Sequence, residues 1–243
     1  MQILVTGACG ALGQAVLRAL AARQTLLGAL GAPVPVVRII AVDRTQPARL
    51  FVEPRIEYVC GNFEQSRFLA RVMGTATDSI FHLSCLDAAA GIGAQLEDFD
   101  MALMRSLDTT RSLVDACQFQ SAQPRLVLTS ALAARPVGTA PPAGSDGICN
   151  ALCELFLIEC ARRGFVDLRG VRLPRIAGAP LAAAMGASPP LPPGVLEALA
   201  VAAPEETPSL AADAAAAALI EAHELPRVFP GPAQFVEIAS GAL

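Results

Sequence analysis

The chain has 243 residues, 53% of them hydrophobic, which is enough apolar material for one large domain with a filled core, or for one domain with a small appendage. A net charge of −4, with 18 arginines scattered along the length, gives no basic stripe to follow a phosphate backbone, so nucleic acid is not expected as a partner. Seven cysteines, an odd number spread through predicted strands and helices, exclude the framework of a secreted disulfide scaffold.

Apolar stretches over 2–6, 36–42, 56–60, 79–83, 125–129 and 168–173 read as strands, and the segments 13–23, 64–72, 101–117 and 146–163 between them read as helices. The alternation predicts an α/β fold, a Rossmann doubly wound parallel sheet covered by helices on both faces. Such a sheet takes its ligand beyond the carboxyl ends of its strands. The first strand begins at Gln2 without a charged leader or a small-residue cleavage site, and the apolar run 210–220 is interrupted by Asp213. A cytoplasmic protein with no membrane association is therefore expected. After Pro174 the texture changes, because 177–208 is rich in Ala, Pro and Gly and predicts a loosely packed segment. A helix over 209–223 and a short apolar tail close the chain. The expected organisation is a nucleotide-binding domain over 1–176, with a reduced C-terminal substrate lobe and closing helix over 177–243, in a single compact unit.

The first strand runs into Gly7-Ala8-Cys9-Gly10-Ala11-Leu12-Gly13. Glycines at this spacing let a strand turn sharply into a helix and let a pyrophosphate approach the backbone at the positive helix end. Alone the triplet is a weak signal; a strand before it, an amphipathic helix after it and Asp43 at the end of the next strand strengthen it. The interval from Gly13 to Asp43 exceeds the usual ~20 residues because 24–35 add a loop. A carboxylate at Asp43 accepts hydrogen bonds from an adenosine ribose and repels a 2′-phosphate, so NAD is favoured over NADP. Arg44 is the counterweight, since a guanidinium could neutralise that phosphate; its plainer reading is a solvated or adenine-stacking surface charge. Asn62 suits the adenine amine, although Asn near a strand end is also an ordinary turn residue. Phe63, Leu83, Ser84 and Pro174, beside the strand ends, complete the candidate cofactor-contacting set with Ala11 and Leu12.

These segments, together with 107–111, 162–167, 172–174 and 222–226, resemble the extended short-chain dehydrogenase/reductases of the NAD-dependent epimerase/dehydratase family, in particular its D-erythronate dehydrogenase-like members. The resemblance covers roughly 1–176 and a patch near the C-terminus. It implies a reaction centre of Asn, Ser or Thr, Tyr and Lys, in which Tyr exchanges the proton, Lys lowers its pKa and holds the nicotinamide ribose, and Ser binds the substrate oxygen. This chain contains no lysine and a single tyrosine, Tyr58. Carried over on the flanking matches, the Asn position falls on Ser106, the Ser position on Ala131 just after Ser130, and the Tyr and Lys positions on Asp146 and Asn150. Loss of a general acid forfeits roughly 10²–10⁴-fold in rate. An aspartate, with a reference pKa of about 3.9, serves better as a base than as a donor to a forming alkoxide. Asp146, Ser130, Asn150 and Ser106 are thus the candidate catalytic residues of an altered site.

Other residues weigh toward structure. His82 is more often a packed histidine bonding the backbone than a catalytic acid. Cys149, Cys153 and Cys160 share a helix face without the spacing of a zinc site, so buried helix cysteines are the expected reading and no metal is assigned. Thr129, Ser130 and Ser84 line strand ends as lone hydroxyls. The helix 148–163 is apolar on nearly all sides, which predicts burial against a second subunit. The family resemblance implies the same homodimer, through helices 101–117 and 146–163. Three functions follow in order: an atypical isomerase, lyase or cyclase acting on a small polar molecule with help from Asp146; a catalytically silent NAD- or partner-binding member; and an NAD-dependent oxidoreductase with a substituted acid.

Overall fold

The computed structural model describes residues 1–46, 51–62, 64–83, 96–136, 140–142, 144–176, 209–226 and 234–238. In chain order the elements are β1 (Gln2–Thr6), α1 (Ala11–Ala21), β2 (Thr25–Leu27), β3 (Pro33–Pro35), β4 (Arg38–Asp43), β5 (Ile56–Cys60), α2 (Ser66–Met73), β6 (Ser79–His82), α3 (Leu96–Cys117) and β7 (Arg125–Ala131). A 3₁₀ turn (Leu132–Ala134) precedes α4 (Gly144–Arg162), and β8 (Asp167–Leu173), β9 (Arg175–Ile176), β10 (Ser209–Leu210), α5 (Ala212–Glu224) and β11 (Gln234–Glu237) follow. Seven strands form one parallel sheet in the order β11-β8-β7-β6-β1-β4-β5. This is the doubly wound order, and it reverses between β1 and β6.

Continuous apolar strands are what a sheet covered on both faces requires. Ile3, Val5, Ile39, Phe81 and Val127 face one way and pack with α1 and α5, whereas Leu4, Ile40, Val42, Ile80 and Leu126 face the other and pack with α2, α3 and α4. The period of two along each strand sorts the sequence into these two cores.

Several boundaries differ from expectation for identifiable reasons. Strand β4 starts at Arg38, since the Val36 N–H donates to the Gln24 carbonyl and the Val37 N–H to that of Met1. The loop expected over 24–35 is an antiparallel β2–β3 hairpin. The closing helix does not begin at 209, because Ser209 and Leu210 pair in parallel with Arg175 and Ile176 first. The tail is not merely apolar: β11 adds a seventh strand beside β8, with the Phe235 ring where a Cβ on Gly170 would meet it at 2.2 Å. The segment expected to be loosely packed, 177–208, lies outside the described residues. Among the described residues no helix is long and apolar enough to cross a membrane.

At the amino ends of β7 and β8 a buried charge cluster fastens α5 and the hairpin to the sheet. Arg125 donates to the carbonyls of His223 (2.7 Å) and Leu27 (3.2 Å) and pairs with Asp167 at 3.2 Å. Arg169 pairs with the other oxygen of Asp167 at 2.6 Å and donates to the Leu225 carbonyl at 3.3 Å. Both guanidinium groups thereby reach the carboxyl end of α5, where the helix dipole favours cations. His223, fully buried, meets Ser79 Oγ at 2.8 Å and stacks on Phe81 at 5.5 Å. Burial first, then the Arg125 and Arg169 charges, lower its pKa to about 3. On β6, burial lowers the pKa of His82 to about 4.

Both histidines are neutral in the fold and take up protons near pH 6.5 once unfolded. The unfolded chain therefore binds more protons between pH 6.5 and the folded values, so stability is complete above pH 6.5 and is lost as pH falls toward 4. The expected loss is on the order of 1.4 kcal/mol per histidine per pH unit. Thermal melts from pH 7.5 down to 4.5 measure it, and His223→Gln should flatten the slope by about half; a melting temperature independent of pH below 6.5 would contradict the assignment.

Candidate functional site

The carboxyl ends of β1, β4 and β6 meet at the turn into α1. Gly7 has φ 71°, a left-handed conformation that favours glycine, and a Cβ on Gly13 would lie 2.2 Å from the Gly7 carbonyl oxygen and 2.6 Å from Ala8 Cα. The first turn of α1 consequently rests directly on the strand end. Gly10 occupies the N-cap position; no side chain caps this helix and no acidic residue stands in its first turn. An uncapped helix start presents backbone N–H groups and a positive dipole end, the chemistry of an anion site. Leu12 is buried in the core below it and Ala11 is exposed.

Asp43 closes this cradle from β4. One carboxylate oxygen accepts the Cys9 N–H at 2.8 Å and the other the Arg44 N–H at 2.7 Å, which fixes the charge at the strand end and leaves lone pairs for a ligand hydroxyl. Burial, and then Asp43, push the Cys9 thiol up to about 12, so it stays neutral. The Arg44 guanidinium pairs with Glu64. Asn62 Oδ1 accepts the Glu64 N–H at 2.9 Å, a turn contact after β5. Leu83 is buried, its N–H donating to the Thr6 carbonyl at 3.2 Å, and Pro174 is buried after β8. Phe63 and Ser84 lie outside the described residues.

On the far side of the switch point, β7 ends in Thr129-Ser130-Ala131 against α4. Ser130 is fully buried and donates to Glu154 Oε1 at 2.6 Å. Glu154, also buried, takes Arg172 in a two-point pair at 2.9 and 2.6 Å, and Arg172 continues to Glu237 at 3.0 Å. The Ser130 hydroxyl is therefore committed to an ion-pair network. In the sequence Glu154 is one of two carboxylates on an otherwise apolar helix, and with an arginine in a buried strand, Arg172, it is the signal for this pair.

Asn150 is 3% exposed; its Nδ2 donates to the Asp146 carbonyl at 2.9 Å, and its Oδ1 has no partner among the described residues. Thr129 Oγ1 is likewise buried and unpartnered. Asp146 is exposed in the first turn of α4. Ser106 is buried and donates to the Ala102 carbonyl at 2.9 Å. Thr110, one turn beyond Ser106, donates to Cys153 Sγ at 3.6 Å, and Cys153 lies one turn beyond Asn150. Ser106 and Asn150 thus occupy matching levels of α3 and α4, toward the carboxyl ends of the strands.

His82 is buried, with Nδ1 meeting Thr6 Oγ1 at 2.7 Å and Nε2 meeting Thr110 Oγ1 at 3.3 Å. Cys149, Cys153 and Cys160 are buried, and burial raises the Cys149 thiol to about 11. The outer faces of α3 and α4 leave Met101 and Met104 51% exposed and Leu155 63% exposed, while α5 packs against α1 in the opposite layer.

No family model matches the chain. A D-erythronate dehydrogenase from Cupriavidus necator is 36% identical over 198 residues, which cover 76% of this chain and 59% of that protein. A nucleoside-diphosphate-sugar epimerase from Agrobacterium tumefaciens has 30% identity and a TM-score of 0.60, covering 74% of this chain and 54% of its own. A dTDP-glucose 4,6-dehydratase from Streptomyces venezuelae, solved with NAD bound, shares the fold with a TM-score of 0.68 at 17% identity, covering 99% of this chain and 76% of that one. The chain spans 59% of the length of the dehydrogenase it matches.

The network behind Ser130 sets an expectation for stability. Removing one partner of a buried ion pair costs about 3–5 kcal/mol, so Glu154→Ala should lower the melting temperature by roughly 10 °C, at about 2–4 °C per kcal/mol. Ser130→Ala, which deletes one hydrogen bond, should cost about 1 kcal/mol. Comparable losses from the two variants would show that Glu154 is not the centre of the network.

Proposed function

The chain belongs to the extended short-chain dehydrogenase/reductase family, and from that membership we propose that it binds NAD at the turn over residues 7–13 but no longer performs the family's hydride transfer. The residues fit the dinucleotide. The cradle at Gly7 and Gly13 admits no Cβ, the start of α1 is uncapped, and Asp43 offers lone pairs to a ribose hydroxyl. Thr129 Oγ1 and Asn150 Oδ1, buried without partners, supply polar atoms toward the nicotinamide side. When bound, NAD supplies an electrophilic ring that exchanges hydride.

The carrying observation for altered chemistry is the set of residues at the Ser, Tyr and Lys positions: Ala131, Asp146 and Asn150. Ala131 has no hydrogen to give, and the hydroxyl before it is turned to Glu154. Asp146, exposed in the first turn of α4, is the side chain there that can accept a proton from an acidic C–H or O–H of a small polar substrate, which suits an isomerisation, elimination or cyclisation. Asn150 fixes the first turn of α4 beneath it through the Asp146 carbonyl. A second reading, an NAD-binding member without catalysis, draws on the burial of Ser130 and Ser106, whose hydroxyls serve the fold. The name of the dehydrogenase relative favours the third, a redox enzyme with a substituted acid. In each, 1–176 are read as the nucleotide-binding domain and 177–243 as a reduced substrate lobe with the closing helix.

Assembly is part of the proposal. The exposed Met101, Met104 and Leu155 on α3 and α4 belong against the same helices of a second copy. Light scattering of the dilute protein should give a dimer, and Leu155→Glu should shift it toward monomer; a monomeric unmodified protein would refute this interface.

For the chemistry, nicotinamide absorbance with a panel of small 2-hydroxy acids should show no turnover by the unmodified protein. The triple variant Ala131→Ser, Asp146→Tyr, Asn150→Lys should gain hydride transfer, while Asp146→Asn should abolish turnover of a non-redox substrate and leave NAD affinity within about twofold. Robust reduction of NAD by the unmodified protein would overturn the loss of the redox centre.

A further inference from the structure

Resting on the reading of the 7–13 turn and Asp43 as the NAD site, we propose that Glu64 is a specificity-determining residue: by holding the Arg44 guanidinium, it denies NADP the cation adjacent to Asp43. A 2′-phosphate is accommodated in this fold by an arginine near the ribose carboxylate, and Arg44 follows Asp43 directly. Its backbone N–H already serves Asp43, at 2.7 Å, and its Nη2 donates to Glu64 Oε1.

Glu64 is held in place for this role from three directions. Its N–H donates to Asn62 Oδ1 at 2.9 Å, its carbonyl accepts the Ser112 hydroxyl from α3, and its carboxylate meets Arg44. The turn after β5 and the middle of α3 therefore position one carboxylate, at 29% exposure, against a guanidinium at 42%. Asp43, Arg44 and Glu64 together carry one net negative charge. A phosphate bearing roughly −1.5 to −2 at neutral pH must displace Glu64 from Arg44 and also face Asp43. A free 2′-hydroxyl meets no such cost, because it only donates to a carboxylate. The pair is too exposed to matter much for stability, so its effect falls on ligand choice.

Calorimetric titration of the full chain with NAD and with NADP, at one low ionic strength, tests the proposal. The unmodified protein should prefer NAD. Glu64→Gln should cut the preference roughly tenfold, the size of one charge-assisted hydrogen bond discounted for exposure. Adding Arg44→Gln to that variant should cancel the gain in NADP binding, and Arg44→Gln alone, which leaves both carboxylates, should widen the preference instead. Retained NAD binding with a ratio unchanged in Glu64→Gln and in Arg44→Gln overturns this inference alone. Absence of binding of either nucleotide to the unmodified protein overturns the nucleotide site, and this inference with it.

Discussion

The close approach of α1 to the end of β1 is the constraint on which the rest of the molecule depends. With Gly13 at van der Waals range of the Gly7 carbonyl and Ala8, the first turn of the helix cannot retreat from the sheet without opening the core beneath Leu12, Ala15 and Val16. The same approach turns the backbone N–H groups outward and places Cys9 where Asp43 can accept its N–H. A single steric requirement thus couples packing on one layer to the electrostatics of the ligand end. Overpacking a site of this kind costs typically 1–3 kcal/mol, and here the displaced atoms would be those that define the cradle.

The two ends of the sheet use charge in opposite ways. At the amino ends, Arg125 and Arg169 share Asp167 and satisfy helix and hairpin carbonyls, so an excess cation is held by fixed dipoles and buried for structural purposes. At the carboxyl ends, Asp43 and Glu64 remain within reach of water beside an uncapped helix start. The Glu154–Arg172 pair lies between these regimes. It ties the Ser130 hydroxyl to a buried carboxylate that Arg172 also holds.

The sheet was legible because both-face burial writes strands as uninterrupted apolar runs, and β1 and β6 lie within a residue of where those runs fall. β11 was not legible: Gln234–Glu237 carries only two apolar residues, and its place is set by the missing side chain of Gly170, a partner distant in sequence. The start of α5 was hidden for a related reason, since Ser209 and Leu210 are extended only because Arg175 and Ile176 lie beside them. Within the site, Gly7, Gly13 and Asp43 announced themselves through spacing along the chain. Glu64 and Glu154 did not, because each acts through a partner, Arg44 or Arg172, that periodicity cannot place.

The two sides of the cleft are built from separate elements. The 7–13 turn is shaped by backbone geometry and by the Asp43 carboxylate, without any part of α4. Ala131, Asp146 and Asn150 stand on β7 and α4, where Asn150 donates to the Asp146 carbonyl; the Cβ that Gly147 lacks would lie 2.3 Å from the Ala133 carbonyl, so α4 is seated on the 3₁₀ turn whatever side chains occupy positions 146 and 150. A change of side chain at 131, 146 or 150 therefore leaves the seating of α4 on the sheet intact.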